Sequence, residues 1–292
     1  MKKVGIIVPL AFPFGMVPQE FFLSFFRANE YLLANIKEDI QLELISESTF
    51  PLDANRNESV AIILEKGFDT SIWLDADQEL CYYDKKNGWI GIDSLYRLIV
   101  NGDKYPIYAG MYYLKKDPYH PIVFNSINKK FNLFRPIWNY PTKSLFYAEM
   151  IGMGCVKIDR EVFEALDRPY FKYGKVPVEL AKTSPDMNFK YKNDVRSVSE
   201  DVHFWRQIKK KTDYKIVIDP MIQVGHITKH SVKPEMAIQY AYANKLISDK
   251  QKGRSDWFDE TYPHPALVNG EQNPEWLFES LRQASERIAA QK

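Results

Sequence analysis

Asp75 and Asp77 stand one residue apart in Trp73-Leu74-Asp75-Ala76-Asp77, where a short apolar run gives way to polar residues. Two carboxylates on a tight strand end can hold a divalent cation against a diphosphate, which points to chemistry on an activated phosphate ester. The pattern is short enough to recur by chance, and two solvated acids opening a loop are its plainer explanation. Its meaning depends on the elements that position it and on what else lies at the right distance.

Those elements alternate in type. Val4–Leu10 is a continuous apolar run, as expected of a strand buried on both faces of a mostly parallel sheet. A helix is expected from about Pro18 to Ile36, with Phe21, Phe22, Phe25, Phe26, Tyr31, Leu32 and Leu33 as a core stripe. A strand over Gln41–Ser46, a helix over Asn55–Lys66 stopped by Gly67, and a strand over Thr70–Leu74 follow. This order is the signature of a parallel α/β sheet, in which ligands collect beyond the carboxyl ends of the strands. Asp75 and Asp77 fall at such an end, as do the residues from Pro9 to Phe12.

Beyond Gly102 the texture changes. Tyr105–Tyr113 reads as an aromatic strand and 115–143 as loops and short strands. Met150–Ile158 is strand-like, and Asp159 caps a helix to about Leu166. Residues 167–198 lack periodicity and read as a mobile loop. Ser199-Glu200-Asp201 opens a helix with Val202, Trp205 and Ile208 on one face. Tyr214–Ile218 is a strand ending at Asp219-Pro220, and Ile222–His226 is a short extended piece. The chain from about Lys233 reads as two helices around a Pro-rich break.

Composition narrows the class. With 292 residues, 45% of them hydrophobic, the chain can bury a large core. Lys and Arg number 39 against 38 Asp and Glu, so no overall field recommends nucleic acid or an anionic membrane as a partner. Cys81 and Cys155 lie far apart, which argues against a disulfide framework or a cysteine zinc site. Pro9 and Pro13 interrupt the apolar start, and no window approaches the roughly 18 apolar residues of a membrane span. A cytoplasmic protein without a transmembrane segment is expected.

Taken in order, Pro9, Ala54-Asn55-Arg56-Asn57, Leu74-Asp75-Ala76-Asp77, Gly152 to Gly154 before Ile158-Asp159-Arg160, Ser199-Glu200-Asp201 and Gly225-His226 resemble the metal-dependent glycosyltransferases of the GT-A fold, in the style of family 2. The resemblance covers residues 1–232 and implies a Rossmann-like, mostly parallel central sheet flanked by helices. Residues 1–102 would form the nucleotide-binding half and 103–232 the acceptor-binding half, with 233–292 a helical C-terminal extension able to dimerise the chain. It implies a nucleoside-diphosphate sugar as donor, a carbohydrate or other hydroxyl-bearing acceptor, and Mn²⁺ or Mg²⁺. Pro9 and Ala11 would line the base and ribose pocket with Arg56 and Asn57 at its rim, and Asp75 with Ala76 would contact the ribose or a metal-bound water. Asp77 and His226 would bind the metal, Lys229 would meet the diphosphate, and Gly152 to Gly154 would floor the sugar site.

A carboxylate suits removal of a proton from an acceptor hydroxyl, so Asp201 is the candidate general base of an inverting reaction, with Glu200 as the other candidate. Both also fit a helix N-terminus with no catalytic role. Trp138 and Tyr140 could stack on an acceptor sugar. Three other classes compete. A sugar-nucleotide nucleotidyltransferase would carry a glycine-rich loop with a basic residue after the first strand, whereas Leu10–Gly15 has one glycine and no lysine. A phosphohydrolase would place its acid pair after the first strand. A carbohydrate-binding or assembly protein with a degenerate site is the non-enzyme alternative.

Overall fold

Short strands buried on both faces build the centre of the protein. The computed structural model describes residues 1–10, 17–86, 88–115, 119–128, 133–177, 195–228, 231–232, 267–268 and 271–272. The first half contains β1 (Lys2–Ile7), α1 (Gln19–Asn35), β2 (Ile40–Ile45), α2 (Leu52–Lys66), β3 (Thr70–Leu74), β4 (Gln78–Glu79), β5 (Tyr82–Asp84), β6 (Gly88–Ile90) and α3 (Ser94–Tyr96), which runs into a wide helical turn. The second half contains β7 (Ile107–Met111), β8 (Val123–Asn128), β9 (Leu133–Pro136), β10 (Phe146–Ala148), β11 (Met150–Ile151), β12 (Cys155–Asp159) and α4 (Arg160–Glu164). It continues with β13 (Gly174–Pro177), β14 (Val195–Val198), α5 (Glu200–Lys211), β15 (Ile216–Gln223), β16 (Gly225–Ile227) and β17 (Ser231–Val232).

A seven-stranded central sheet has the order β10-β15-β7-β12-β3-β1-β2. β1 is parallel to β2 and β3, and β15 is parallel to β7. β12 is antiparallel to both β3 and β7, so it runs against two parallel groups that share one direction. This is the mixed α/β, mostly parallel sheet flanked by helices that the sequence implied. Every residue of β3 and β7 is buried, as strands covered on both faces require. Ile72 and Leu74 belong to the apolar cluster on one face and Trp73 to the cluster on the other.

Several expectations change. α1 buries Phe21, Ser24, Ala28 and Leu32, spaced to lie on one helix face, while Phe22, Leu23, Phe26 and Leu33 are more than half exposed. The expected core stripe was wider than the face a helix can bury against one sheet. α2 begins at Leu52 behind Pro51 rather than at Asn55, whose side-chain amide instead donates to the Glu47 carbonyl at 2.6 Å. Gly67 ends α2 at φ 68°, as expected, with its N–H on the Ile63 carbonyl. β15 does not stop at Asp219-Pro220; its register shifts between Ile218 and Gln223, and a bulge tolerates the proline. β13 and β14 pair antiparallel inside the segment expected to be a loop.

Cys81 and Cys155 are both buried and form no disulfide, and burial pushes the Cys155 thiol up to about 12. Among the described residues no helix is long and apolar enough to cross a membrane. The extension expected over 233–292 lies outside the described residues, apart from Leu267–Val268 paired antiparallel with Glu271–Gln272.

Candidate active site

The buried strand β3 delivers the acid pair into a tight turn. The Asp75 N–H donates to the Gly154 carbonyl at 3.2 Å, and the Gln78 N–H returns to the Asp75 carbonyl at 3.0 Å. The chain then enters β4, which pairs antiparallel with β16 so that His226 lies opposite Gln78 and the Ile227 N–H meets the Asp77 carbonyl at 2.7 Å. This ladder brings His226 Nε2 to 3.5 Å from Asp77 Oδ1. His226 Nδ1 lies 2.7 Å from the Tyr113 carbonyl, which can only accept, so Nδ1 carries a proton; Nε2 faces Asp77 as an N–H donor when the ring is protonated and as a ligating lone pair when it is neutral. The Tyr112 ring holds the imidazole edge-on at 5.4 Å.

The other oxygen of Asp77 pairs with Lys115 Nζ. Burial opposes ionisation of Asp77, but the hydrogen bonds and charges of His226 and Lys115 outweigh it and hold the carboxyl down at about 2. Lys115 had no flag in the sequence. It follows the aromatic strand in an ordinary Lys-Lys-Asp sequence, and only the fold brings it to Asp77.

Behind the turn lies a triad of charges centred on the buried Arg56. Arg56, 3% exposed, donates from Nη2 to Asp75 Oδ1 at 2.8 Å and from Nη1 to Glu200 Oε1. α2 therefore ties the end of β3 to the first residue of α5. Asp75, Glu200 and Asp201 together reverse the effect of burial and raise the Arg56 pKa. Its Nε, shut off from water, has no hydrogen-bond partner among the described residues. Glu200, itself 2% exposed, also accepts from the Ser199 hydroxyl at 2.8 Å.

Asp201 is next in the chain and differently placed. Burial, with the charge of Glu200 beside it, pushes its carboxyl up to about 6, against the opposing pull of Arg56, the Ser199 hydroxyl and the Val202 N–H. Burial also raises Asp75, and with the charges of Asp77 and Glu200 it outweighs the pull of Arg56. Tyr112 links the parts: its hydroxyl accepts from the Gly154 N–H at 3.0 Å, and burial raises its pKa well above normal.

The remaining expected residues divide by position. Pro9 is buried at the exit of β1, while Ala11 and Lys229 lie outside the described residues. Arg56 sits within the charge triad rather than at a pocket rim. Asn57 spends its amide on protein: Nδ2 donates to the Asp53 and Phe171 carbonyls, and Oδ1 accepts from the Tyr170 and Phe171 N–H groups. That accounts for all four of its hydrogen bonds. Ala76 is 3% exposed and packs into the core. A Cβ at Gly152 would meet the Tyr112 hydroxyl at 1.9 Å, and one at Gly154 would meet Gln78 Nε2 at 2.8 Å. The smallness of both glycines thus admits protein side chains. Trp138 and Tyr140 are also buried, the latter with its hydroxyl 2.6 Å from that of Tyr113.

Among the described residues no three His, Cys, Asp or Glu side chains form a ready-made metal cluster. Cations that act on phosphates are commonly held by one or two carboxylates and completed by substrate oxygens and water. Asp77 Oδ1 and His226 Nε2, facing each other with the neutral imidazole in the ligating tautomer, fit that kind of site. An imidazole beside a carboxylate favours Mn²⁺ over Mg²⁺ on ligand type. Asp75 is drawn toward Arg56 and fits a water-mediated contact better than a direct one.

No protein-family model and no curated protein sequence matches the chain. Solved structures resemble it distantly. A197 from STIV is 17% identical over 81% of this chain and 92% of that one, with a TM-score of 0.47. UDP-glucose pyrophosphorylase complexed with UDP-glucose is 11% identical over 84% and 99%, with a TM-score of 0.38. A 4-diphosphocytidyl-2C-methyl-D-erythritol synthase from Anaerococcus prevotii is 11% identical over 85% and 96%, with a TM-score of 0.35. At these scores the likeness assigns no activity to this chain.

Proposed function

We propose that the protein acts on a nucleoside-diphosphate sugar with a divalent cation, and that it transfers the sugar to an acceptor hydroxyl. The observation that carries this reading is the pairing of two unlike acidic centres: Asp77 with His226, suited to a cation, and Asp201, a carboxylate raised to about 6, on the far side of the Arg56 bridge. A hydroxyl acceptor must lose a proton as it attacks, and a carboxylate titrating near neutrality is suited to take it. Nucleotidyl transfer begins from a phosphate nucleophile, whose second pKa near 6 leaves it already ionised, so it needs no such base.

Asp77 and His226 would hold the cation, which would neutralise the charge growing on the departing diphosphate, a contribution of several kcal/mol. Arg56 fixes Glu200, which leaves Asp201 rather than Glu200 as the acid free to accept a proton. Glu200 becomes a positioning residue. A base on Asp201 implies attack in line with the leaving group and inversion at the anomeric carbon.

Nucleotidyl transfer is the second reading. Lys115 supports it by supplying from elsewhere in the chain the basic group that Leu10–Gly15 lacks. The two reactions differ in products. The enzyme is incubated with Mn²⁺ and a panel of nucleotide-sugars and simple acceptors, then separately with nucleoside triphosphates and sugar 1-phosphates. Nucleoside diphosphate released in the first assay supports glycosyl transfer, and pyrophosphate released in the second replaces it with nucleotidyl transfer. Nucleotide binding without turnover in either would return the degenerate binding protein.

A further inference from the structure

Lys115 and Arg56 each pair with an acid of the site, and their settings differ. Arg56 is 3% exposed and holds two acids at once. Lys115 is 38% exposed, stands at the rim and touches Asp77 with the tip of a flexible stem. We propose that Lys115 is a displaceable counter-ion: it neutralises Asp77 in the empty site, yields that carboxylate to a divalent cation, and then turns its ammonium to the donor's diphosphate. This rests on the metal reading above.

Charge balance supports the exchange. Among the described residues, Asp75, Asp77, Glu200 and Asp201 outnumber the basic groups that face them, Arg56, Lys115 and His226, an excess of acid that a divalent cation would offset. Asp77 Oδ1 faces His226 Nε2 and accepts from Gln78 Nε2 at 3.5 Å, while Oδ2 is held by Lys115, so the metal-facing pair already exists and the lysine occupies the other oxygen. A partly exposed lysine–carboxylate pair adds little stability, so giving it up costs little. Lysine is also a compact point charge suited to phosphate oxygens once it is free. Arg56, buried and bidentate across two acids, cannot play this part.

The test measures Mn²⁺ binding by electron paramagnetic resonance, with no nucleotide present, for wild type, Lys115→Met and Lys115→Gln. It then measures binding of Mn²⁺–pyrophosphate, a diphosphate probe independent of the base. Removing the competing ammonium should tighten Mn²⁺ by about 3- to 5-fold, the equivalent of a pair worth up to about 1 kcal/mol. The same variants should bind Mn²⁺–pyrophosphate at least about 10-fold more weakly, as expected from loss of a charge-assisted contact. Unchanged or weaker Mn²⁺ binding in both variants overturns the proposal. Tighter Mn²⁺ with unaltered pyrophosphate binding overturns the hand-over to the diphosphate. A wild type that binds no Mn²⁺ overturns the metal reading itself, and this proposal with it.

Discussion

Asp219 and Asp75 are both acids of strands in the central sheet, or of their exits, that meet an arginine, yet they are held in opposite ways. Asp219 on β15 accepts from the Tyr108 hydroxyl at 2.8 Å and Arg97 Nη1 at 3.5 Å on one oxygen, and from the Met221 N–H at 2.9 Å on the other. Both oxygens are spent on protein and the side chain is 5% exposed, which describes an acid that pins a bulged strand. Asp75 gives one oxygen to Arg56 and keeps 28% of its side-chain surface open. Its neighbours include an unpartnered Arg56 Nε and Asp201, whose carboxyl, like that of Asp75 itself, is raised by burial. Buried charge is costly unless fully satisfied. A cluster that spends every lone pair stabilises the fold, whereas one left with capacity over is suited to a ligand.

The comparison can be broken most decisively at Asp77. Asp77→Ala should abolish metal-dependent nucleotide binding and lower turnover by at least about 1,000-fold, because a cation contributes several kcal/mol to such a transition state. Asp219→Asn should leave turnover within about 3-fold and instead lower stability by about 1–3 kcal/mol, the cost of weakening a buried hydrogen-bond set. Equal losses of activity in the two variants would erase the distinction.

Asp201→Asn should spare donor binding, measured calorimetrically, and reduce transfer by about 100- to 10,000-fold. In the wild type, kcat/KM should fall as pH drops through about 6, because Asp201 must be ionised to act. The stability effect has the opposite sign. The fold favours protonated Asp201, so its stabilising contribution is present below about pH 4 and lost as pH rises through 6. Asp201→Asn should therefore melt no lower than wild type at pH 8, and the two should converge near pH 4. Next in size, Arg56→Met should cost about 3–5 kcal/mol by stranding Asp75 and Glu200, measured by urea unfolding. The smallest effect is expected of Tyr108→Phe, which removes one hydrogen bond to Asp219 and should cost about 1 kcal/mol with activity unchanged.

Much of the sheet was legible because β1, β3 and β7 are continuous apolar runs, and such runs declare burial on both faces. Strand direction leaves no trace in such a run, so the reversal of β12 between β3 and β7 could not be read. Asp219-Pro220 resembled a terminator because a proline within a strand is tolerated only at an edge or a bulge, and a bulge depends on the neighbouring strands. At the site, the acid pair stood out because its spacing is local. Arg56 is legible as a candidate, but its pairing with Asp75 and Glu200 is not, since both reach it only across the fold. Lys115 and Tyr112 carry no local pattern at all. Asn57 shows the converse: its polar type beside Arg56 suggested a pocket rim, while its hydrogen bonds clamp α2 to the chain at Tyr170 and Phe171.

A crystal structure with Mn²⁺ and a nucleoside diphosphate tests the central claim most directly. An anomalous peak bonded to both Asp77 Oδ1 and His226 Nε2, with Lys115 moved from Asp77 to a phosphate oxygen, is the expected result. A diphosphate bound with no metal at that pair, and with Asp77 still held by Lys115, would contradict it.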